Sequence, residues 1–170
     1  MIFKFLSKNF FISFSIVFLI YVLDRLSKIH VIQLDKNNLG SDIFNSTYLN
    51  IVLIWNKGIA FGLLSFNESY LYNIITLTIA IIIIVLIVMS LKNQGFNRYS
   101  LLMIVGGALG NLHDRIFFNA VPDFIDFHIG NFHWFIFNVS DIFITIGIIG
   151  LILMEITSKN KEKNEKNEKN

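Results

Sequence analysis

The 170-residue chain contains no cysteine. Disulfides, thiol catalysis and cysteine–metal sites are therefore excluded, and so is lipid attachment to a cysteine of the chain itself. Charge of one sign is also scarce. Fourteen Lys and Arg against twelve Asp and Glu leave a net charge of +2, too small to argue for a nucleic-acid partner. Residues 69–91 (SYLYNIITLTIAIIIIVLIVMSL) carry no charge at all. What stands in place of charge is apolar surface: 54% of residues are hydrophobic and mean hydropathy is +0.62, far above an ordinary soluble domain of this size.

A bilayer crossing takes about 20 mostly apolar residues. The charge-free run 69–91 meets that length, and 9–29, 99–118 and 137–157 meet it with some charge included. The expectation is a mainly α membrane protein with four transmembrane helices, forming one membrane domain over 1–157. Lys4 and Lys8 before an apolar run resemble a secretory signal, but Asp24, Arg25 and Lys28 follow where a small-residue cleavage site belongs. Lys and Arg bias sets orientation. Lys4 and Lys8, then Lys92 and Arg98, then five tail lysines from Lys159 to Lys169 lie on one side, against Lys36 and Lys57 on the other. Both termini are thus expected in the cytoplasm. The tail 158–170, rich in Lys, Glu and Asn, reads as disordered.

No repeat of 20–50 residues is visible. Segment 36–68 is too polar to span. It contains the β-prone run YLNIVLIWN (48–56) and the turn NKGIAFG, and reads as a small extracytoplasmic β-rich unit. Segment 119–136 reads as a second outer loop, with Phe124, Phe127, Phe132, Trp134 and Phe135 suited to the membrane interface.

This topology gathers polar residues at one depth. Asp24 and Lys28 fall near the outer end of the first span, Asn111, Asp114 and Arg115 near that of the third, and Asn138 and Asp141 at the outer start of the fourth. Asp123 and Asp126 lie just beyond the third span. A charge at membrane depth costs about 2.5–3.5 kcal/mol on insertion scales, so such residues face the bundle interior and mark function. The spacings agree: Asp24 and Lys28 are i,i+4, Asn111, Asp114 and Arg115 are i,i+3,i+4, and Asn138 and Asp141 are i,i+3. Gly106-x-x-x-Gly110 permits close helix approach.

Each feature alone has a structural explanation. Asp24–Lys28 and Asp114–Arg115 serve as ion pairs that neutralise buried charge. Asn138 serves as an N-cap and Asp141 as a first-turn acid. Asp126 serves as a solvated loop residue. His113, His128 and His133 raise the question of a metal, but no H-E-x-x-H is present, and interfacial or loop histidines are commoner than ligands. Ser140 has no base placed for it. The convergence at one depth outweighs the separate readings.

Five blocks, in order, resemble the lipoprotein signal peptidase (signal peptidase II) family of bacterial intramembrane aspartic proteases. They are Asp24-x-x-x-Lys28; Asn56-x-Gly58-x-x-Phe61; Gly106-Gly107-x-x-Gly110-Asn111-x-x-Asp114-Arg115; Val121-x-Asp123-Phe124; and Phe137-Asn138-x-Ser140-Asp141. They reach from residue 24 to 141. The resemblance implies that Asp123 and Asp141 are catalytic. It implies that Asn111, Arg115 and Asn138 support them, and that Asp24, Lys28, Asn56, Gly58 and Phe61 shape the site. Asp114 is the nearest competitor in sequence, but it adjoins Arg115, which would hold it ionised. Two positions depart from the family pattern: Pro122, where an aliphatic residue is common, and Ser140, where Ala is usual. Pro122 fixes φ just before Asp123 and removes a donor.

Two carboxylates hydrolyse a peptide when one is charged and the other protonated, a state that their mutual repulsion favours. The sequence leaves open which of the two holds the proton. No metal or organic cofactor is required. The resemblance implies cleavage of prolipoprotein signal peptides before a diacylglyceryl-modified cysteine, at the outer face of the bacterial cytoplasmic (inner) membrane. It implies prolipoprotein substrates and membrane lipids as partners, and a monomer suffices. A small transporter would need polar residues through the whole bilayer, and a scaffold would tolerate loss of either aspartate; the five blocks weigh against both.

Overall fold

In the computed structural model, residues 8–37, 43–58 and 69–168 are described. Helix α1 is Lys8–Asn37, α2 Ser69–Lys92, α3 Gly95–Phe118 and α4 Val139–Glu168. Strands β1 (Phe44–Asn45) and β2 (Leu49–Asn56) lie between α1 and α2; β3 (Val121–Ile129) and β4 (Phe132–Phe137) lie between α3 and α4. All four helices are long and apolar enough to cross a membrane, with spans Phe10–Asn37, Tyr70–Lys92, Gly95–Phe118 and Val139–Lys159.

The most apolar span and the most buried span are different helices. Helix α2, without charge until its last residue Lys92, is the most apolar span, yet most of its side chains (Leu77, Ile81 and Ile84 among them) face outward. In water that surface would be untenable; in a bilayer it is the lipid face. Helix α3 has the lowest hydropathy of the four spans and is the most buried, packed against α1, α2 and α4. Polar residues in α3 are tolerated because protein, not lipid, surrounds them.

Small residues set how closely α3 and α4 meet. A methyl built at Gly107 would fall 2.5 Å from the Ser140 carbonyl oxygen, and one built at Gly147 would fall 2.5 Å from the Ser100 carbonyl oxygen. Each helix thus presents a glycine to the other's backbone. Gly106 faces Ile20 of α1, and Gly110 faces Ser140 and Asp24, so the expected Gly106–Gly110 pair serves two different neighbours.

The strands form one antiparallel meander, β1-β2-β3-β4. The β-prone run 48–56 forms β2 as expected. Its main partner is β3, from the segment expected to be a loop. The aromatic segment is a hairpin: Ile129 pairs with Phe132 around Gly130–Asn131, with Gly130 at φ +58°, as a two-residue II′ connection requires. Phe124 is buried rather than interfacial, whereas Phe132, Trp134 and Phe135 point outward. Asn119 ends α3 in the left-handed region at φ 54°, and the chain turns directly into β3. Pro122 lies at the end of β3 that β4 does not reach, an edge position where a missing N–H is tolerated. Helix α4 runs into the charged tail as far as Glu168, beyond where sequence reading expects order. Lys and Glu are good helix formers, and Lys159 pairs with Glu155 at 2.9 Å.

Candidate active site

The polar residues of α1, α3 and α4 meet at the sheet end of the bundle, in two adjoining clusters.

The first is a knot of four charges. Lys28 Nζ lies 2.9 Å from Asp24 Oδ1 and 2.6 Å from Asp114 Oδ2. Arg25 Nη2 lies 2.9 Å from Asp24 Oδ2, and Arg25 Nη1 lies 2.6 Å from Asp114 Oδ1. Asp24 and Asp114 have no exposed side-chain surface and Lys28 almost none. Two acids and two bases therefore cancel where solvent cannot screen them. The expected Asp24–Lys28 pair is present. The expected Asp114–Arg115 pair is not: Asp114 takes its cations, Lys28 and Arg25, from α1, while Arg115 donates to the Gly58 carbonyl. Arg25, which sequence reading counted only as a charge, is one of those cations. The signal for it was there, since a basic residue beside Asp24 must find an acid at the same depth.

The second cluster holds Asp123 and Asp141. Asn138 Nδ2 donates to Asp123 Oδ1 at 2.6 Å, and Asn56 Nδ2 to Asp123 Oδ2 at 2.9 Å. Asn111 Nδ2 donates to Asp141 Oδ1 at 2.9 Å, and the Asn138 backbone N–H to Asp141 Oδ2 at 3.1 Å. Among the described residues, every oxygen of both carboxylates thus has one donor, and none comes from a cation. The three amides are held in that sense by their own oxygens. Asn56 Oδ1 accepts from Gly58 N–H (2.8 Å), Asn111 Oδ1 from Lys28 Nζ (2.8 Å), and Asn138 Oδ1 from Asp141 N–H (3.2 Å). A flipped amide would aim oxygen at carboxylate. Asn138 and Asp141 also form a reciprocal cap at the start of α4, so the structural explanation for Asn138 holds alongside its contact with Asp123.

Asn111 joins the clusters, since Lys28 fixes the amide that Asp141 uses. Asp24 joins them again: its Oδ1 accepts from the Ser140 N–H (3.1 Å), docking α1 on the N-terminus of α4. Arg115 Nη2 donates to the Gly58 carbonyl at 2.7 Å and tethers the chain leaving β2. Phe61, the last residue of that block, lies outside the described residues.

A cavity of about 270 Å³ opens on the pair. Asn56, Asn111, Arg115, Asp123, Asp141 and Thr145 supply its polar lining; Ile79, Ala108, Val121, Ile144 and Ile148 supply an apolar wall from α2, α3, β3 and α4. Burial and then the charge of Asp141 push the Asp123 carboxyl up to about 6, against the opposing pull of the Asn56 and Asn138 amides.

Asp126 does not face this cavity; it meets His133 and Asn50 on the sheet. His128 and His133 lie together, whereas His113 sits on α3 with Nδ1 2.9 Å from the Tyr21 hydroxyl.

Residues 16–157 match the family model described as signal peptidase (SPase) II. The chain belongs to the signal peptidase II family. Members are membrane proteases that remove signal peptides from prolipoproteins by an aspartic-protease mechanism. The chain is 51% identical to the lipoprotein signal peptidase of Pelagibacter ubique (strain HTCC1062), over 91% of its length and 93% of that protein's. It is 40% identical to the lipoprotein signal peptidase of Anaplasma phagocytophilum (strain HZ), over 86% and 92%. Among solved structures, a bacterial membrane enzyme determined in meso at 2.3 Å superposes with a TM-score of 0.71 and 29% identity, covering 88% of this chain and 90% of that one. A second, at 1.9 Å, gives 0.68 and 32% identity, covering 84% and 90%.

Proposed function

We propose that Asp123 and Asp141 are the reacting pair with which this chain cuts prolipoproteins before a diacylglyceryl-modified cysteine. The observation that carries the reading is the donor set: four carboxylate oxygens, each with one N–H donor and no cation among the described residues, at the mouth of an apolar cavity. Amide donors hold carboxylates in position and leave them free to exchange protons, which a lysine or arginine clamp would prevent.

Asp123, pushed up to about 6, is the partner to which we assign the proton, and Asp141 is the charge that helps keep it there. Asp141 takes a proton from water as the water oxygen attacks the scissile carbonyl carbon. Asp123 gives its proton to the carbonyl oxygen, forming a tetrahedral diol. When the diol collapses, the C–N bond breaks and the amine leaves with the proton held by Asp141, while the proton on the second hydroxyl returns to Asp123. The wall formed by Ile79, Ala108, Ile144 and Ile148 suits an apolar signal-peptide helix or an acyl chain entering from the bilayer.

On this reading residues 1–157 act as one protease domain. The lysine bias supports cytoplasmic termini and a site near the outer face of the bacterial cytoplasmic membrane. One chain supplies every group named, so a monomer suffices. The test is cleavage of a diacylglyceryl-modified prolipoprotein by the purified protein in detergent, comparing wild type with Asp123→Asn and Asp141→Asn. Folded but inactive variants support the pair; wild-type activity in either one rejects it.

A further inference from the structure

Asp126 is buried to 3% exposure yet does not face the cavity, and His128 and His133 stand beside it. The hairpin explains the grouping. His128 and His133 are cross-strand partners in β3 and β4, one step from the Gly130–Asn131 turn, and Asp126 precedes His128 by two positions across a bulge. The imidazole rings stack with centroids 5.0 Å apart and planes 20° from parallel. His133 Nδ1 lies 2.8 Å from Asp126 Oδ2 and 3.1 Å from Oδ1, and Asn50 Nδ2 donates to Oδ2 at 3.4 Å.

His133 alone would account for Asp126. It does not account for His128, whose Nδ1 is buried with no hydrogen-bond partner among the described residues. The stacked rings bring imidazole nitrogens together beside a carboxylate. One ligand atom from each residue falls within 4.8 Å of the others. Bonds of about 2.0–2.1 Å in a tetrahedron place ligand atoms about 3.3 Å apart, so closure takes a movement of about 1.5 Å or less. The half-exposed His133 side chain, at 52%, has room to make it.

We propose that Asp126, His128 and His133 form a binding site for one first-row divalent cation of the zinc class, fastening β4 to β3 at the hairpin. Two imidazoles and a carboxylate are the donor set that such ions take. Three protein ligands leave the fourth position to solvent at the sheet edge. Asn50 on β2 then steadies the ligating carboxylate, as an outer-shell partner does. The site braces the outer half of the strand that carries Asp123.

The test uses the full chain without a polyhistidine tag, stripped with EDTA in detergent and titrated with Zn²⁺ by calorimetry and with Co²⁺ by visible absorption. Wild type is expected to bind one ion per chain at micromolar concentration or below, with a raised thermal-unfolding midpoint. His128→Ala/His133→Ala should weaken binding at least tenfold and abolish the midpoint shift, while exposed His30→Ala should change neither. Prolipoprotein cleavage reports whether each variant is folded; if the double variant fails, His133→Asn alone, at an exposed position, should give the same loss. Absence of saturable binding in wild type, or unchanged binding in a folded variant, overturns the site.

Discussion

The two polar clusters use the same acid to opposite ends. Asp24 and Asp114 each meet both Lys28 and Arg25, and four full charges cancel. Asp123 and Asp141, joined to that knot through Asn111, meet Asn56, Asn111 and Asn138. An aspartate clamped by two cations serves as a brace. An aspartate held by amides keeps its position while its proton stays mobile. On the proposed reading the partner, rather than burial or depth, separates bracing from reactivity, for all four carboxylates are buried.

The sharpest way to break this comparison is to neutralise each aspartate in turn. Asp123→Asn and Asp141→Asn should each lower kcat by about 10³-fold or more, since members of a reacting unit fail together. Thermal unfolding should move little. Asp114→Asn should do the reverse, leaving Lys28 and Arg25 undercompensated. Breaking a buried pair costs about 3–5 kcal/mol, and thermal denaturation in detergent reads that loss. An Asp114→Asn variant with wild-type stability would remove the distinction.

Lys28→Met tests the connection between the clusters. It removes the cation shared by Asp24 and Asp114, and it frees Asn111 Oδ1, so the amide facing Asp141 is no longer held. Both stability and kcat should fall, kcat by about 10–100-fold, as loss of an orienting partner does. Asn111→Ala, which leaves the charge knot intact, should reproduce the loss of rate with a smaller loss of stability.

A subtler effect is on pH. With Asp123 as the protonated partner and its carboxyl near 6, activity should fall as pH rises through about 6. Asn56→Ala removes a donor to the charged form, so the Asp123 carboxyl rises further and the alkaline limb should move to higher pH even as the rate drops. A pH–rate profile measures both; a shift to lower pH would reverse the protonation assignment. Stability follows the same sign. The folded state holds the Asp123 proton more tightly than the unfolded chain, at about 3.8, so Asp123 contributes stability that is fully present below about 3.8 and lost as pH rises toward 6.

What the sequence made legible follows from the range of each interaction. Four spans and the depth of their polar residues could be read because hydropathy and helical period are local. Asp24–Lys28 could be read because i,i+4 is local. The partners of Asp114 could not, because Arg25 reaches it across two helices. Asp114–Arg115 looked like a pair only in one dimension. The hairpin 121–137 carried a readable turn at Gly130–Asn131, but its run of aromatic residues resembles an interfacial loop as much as two strands. Its pairing with β2 brings together segments some 70 residues apart, a contact that no local pattern encodes.

The smallest expected effect concerns Ser140, one of the two departures from the family pattern. Its backbone N–H donates to Asp24, joining α1 to α4, whereas its hydroxyl is buried with no hydrogen-bond partner among the described residues. A buried hydroxyl without a partner carries a desolvation cost and returns nothing. Ser140→Ala keeps the N–H and removes the orphan oxygen, which faces Gly110. Stability should therefore rise by about 0–1 kcal/mol, with kcat unchanged within about twofold. A clear loss of rate in Ser140→Ala would mean that the hydroxyl acts on the Asp24–Asp141 junction, and that the charge knot and the reacting pair are less separate than their partners make them.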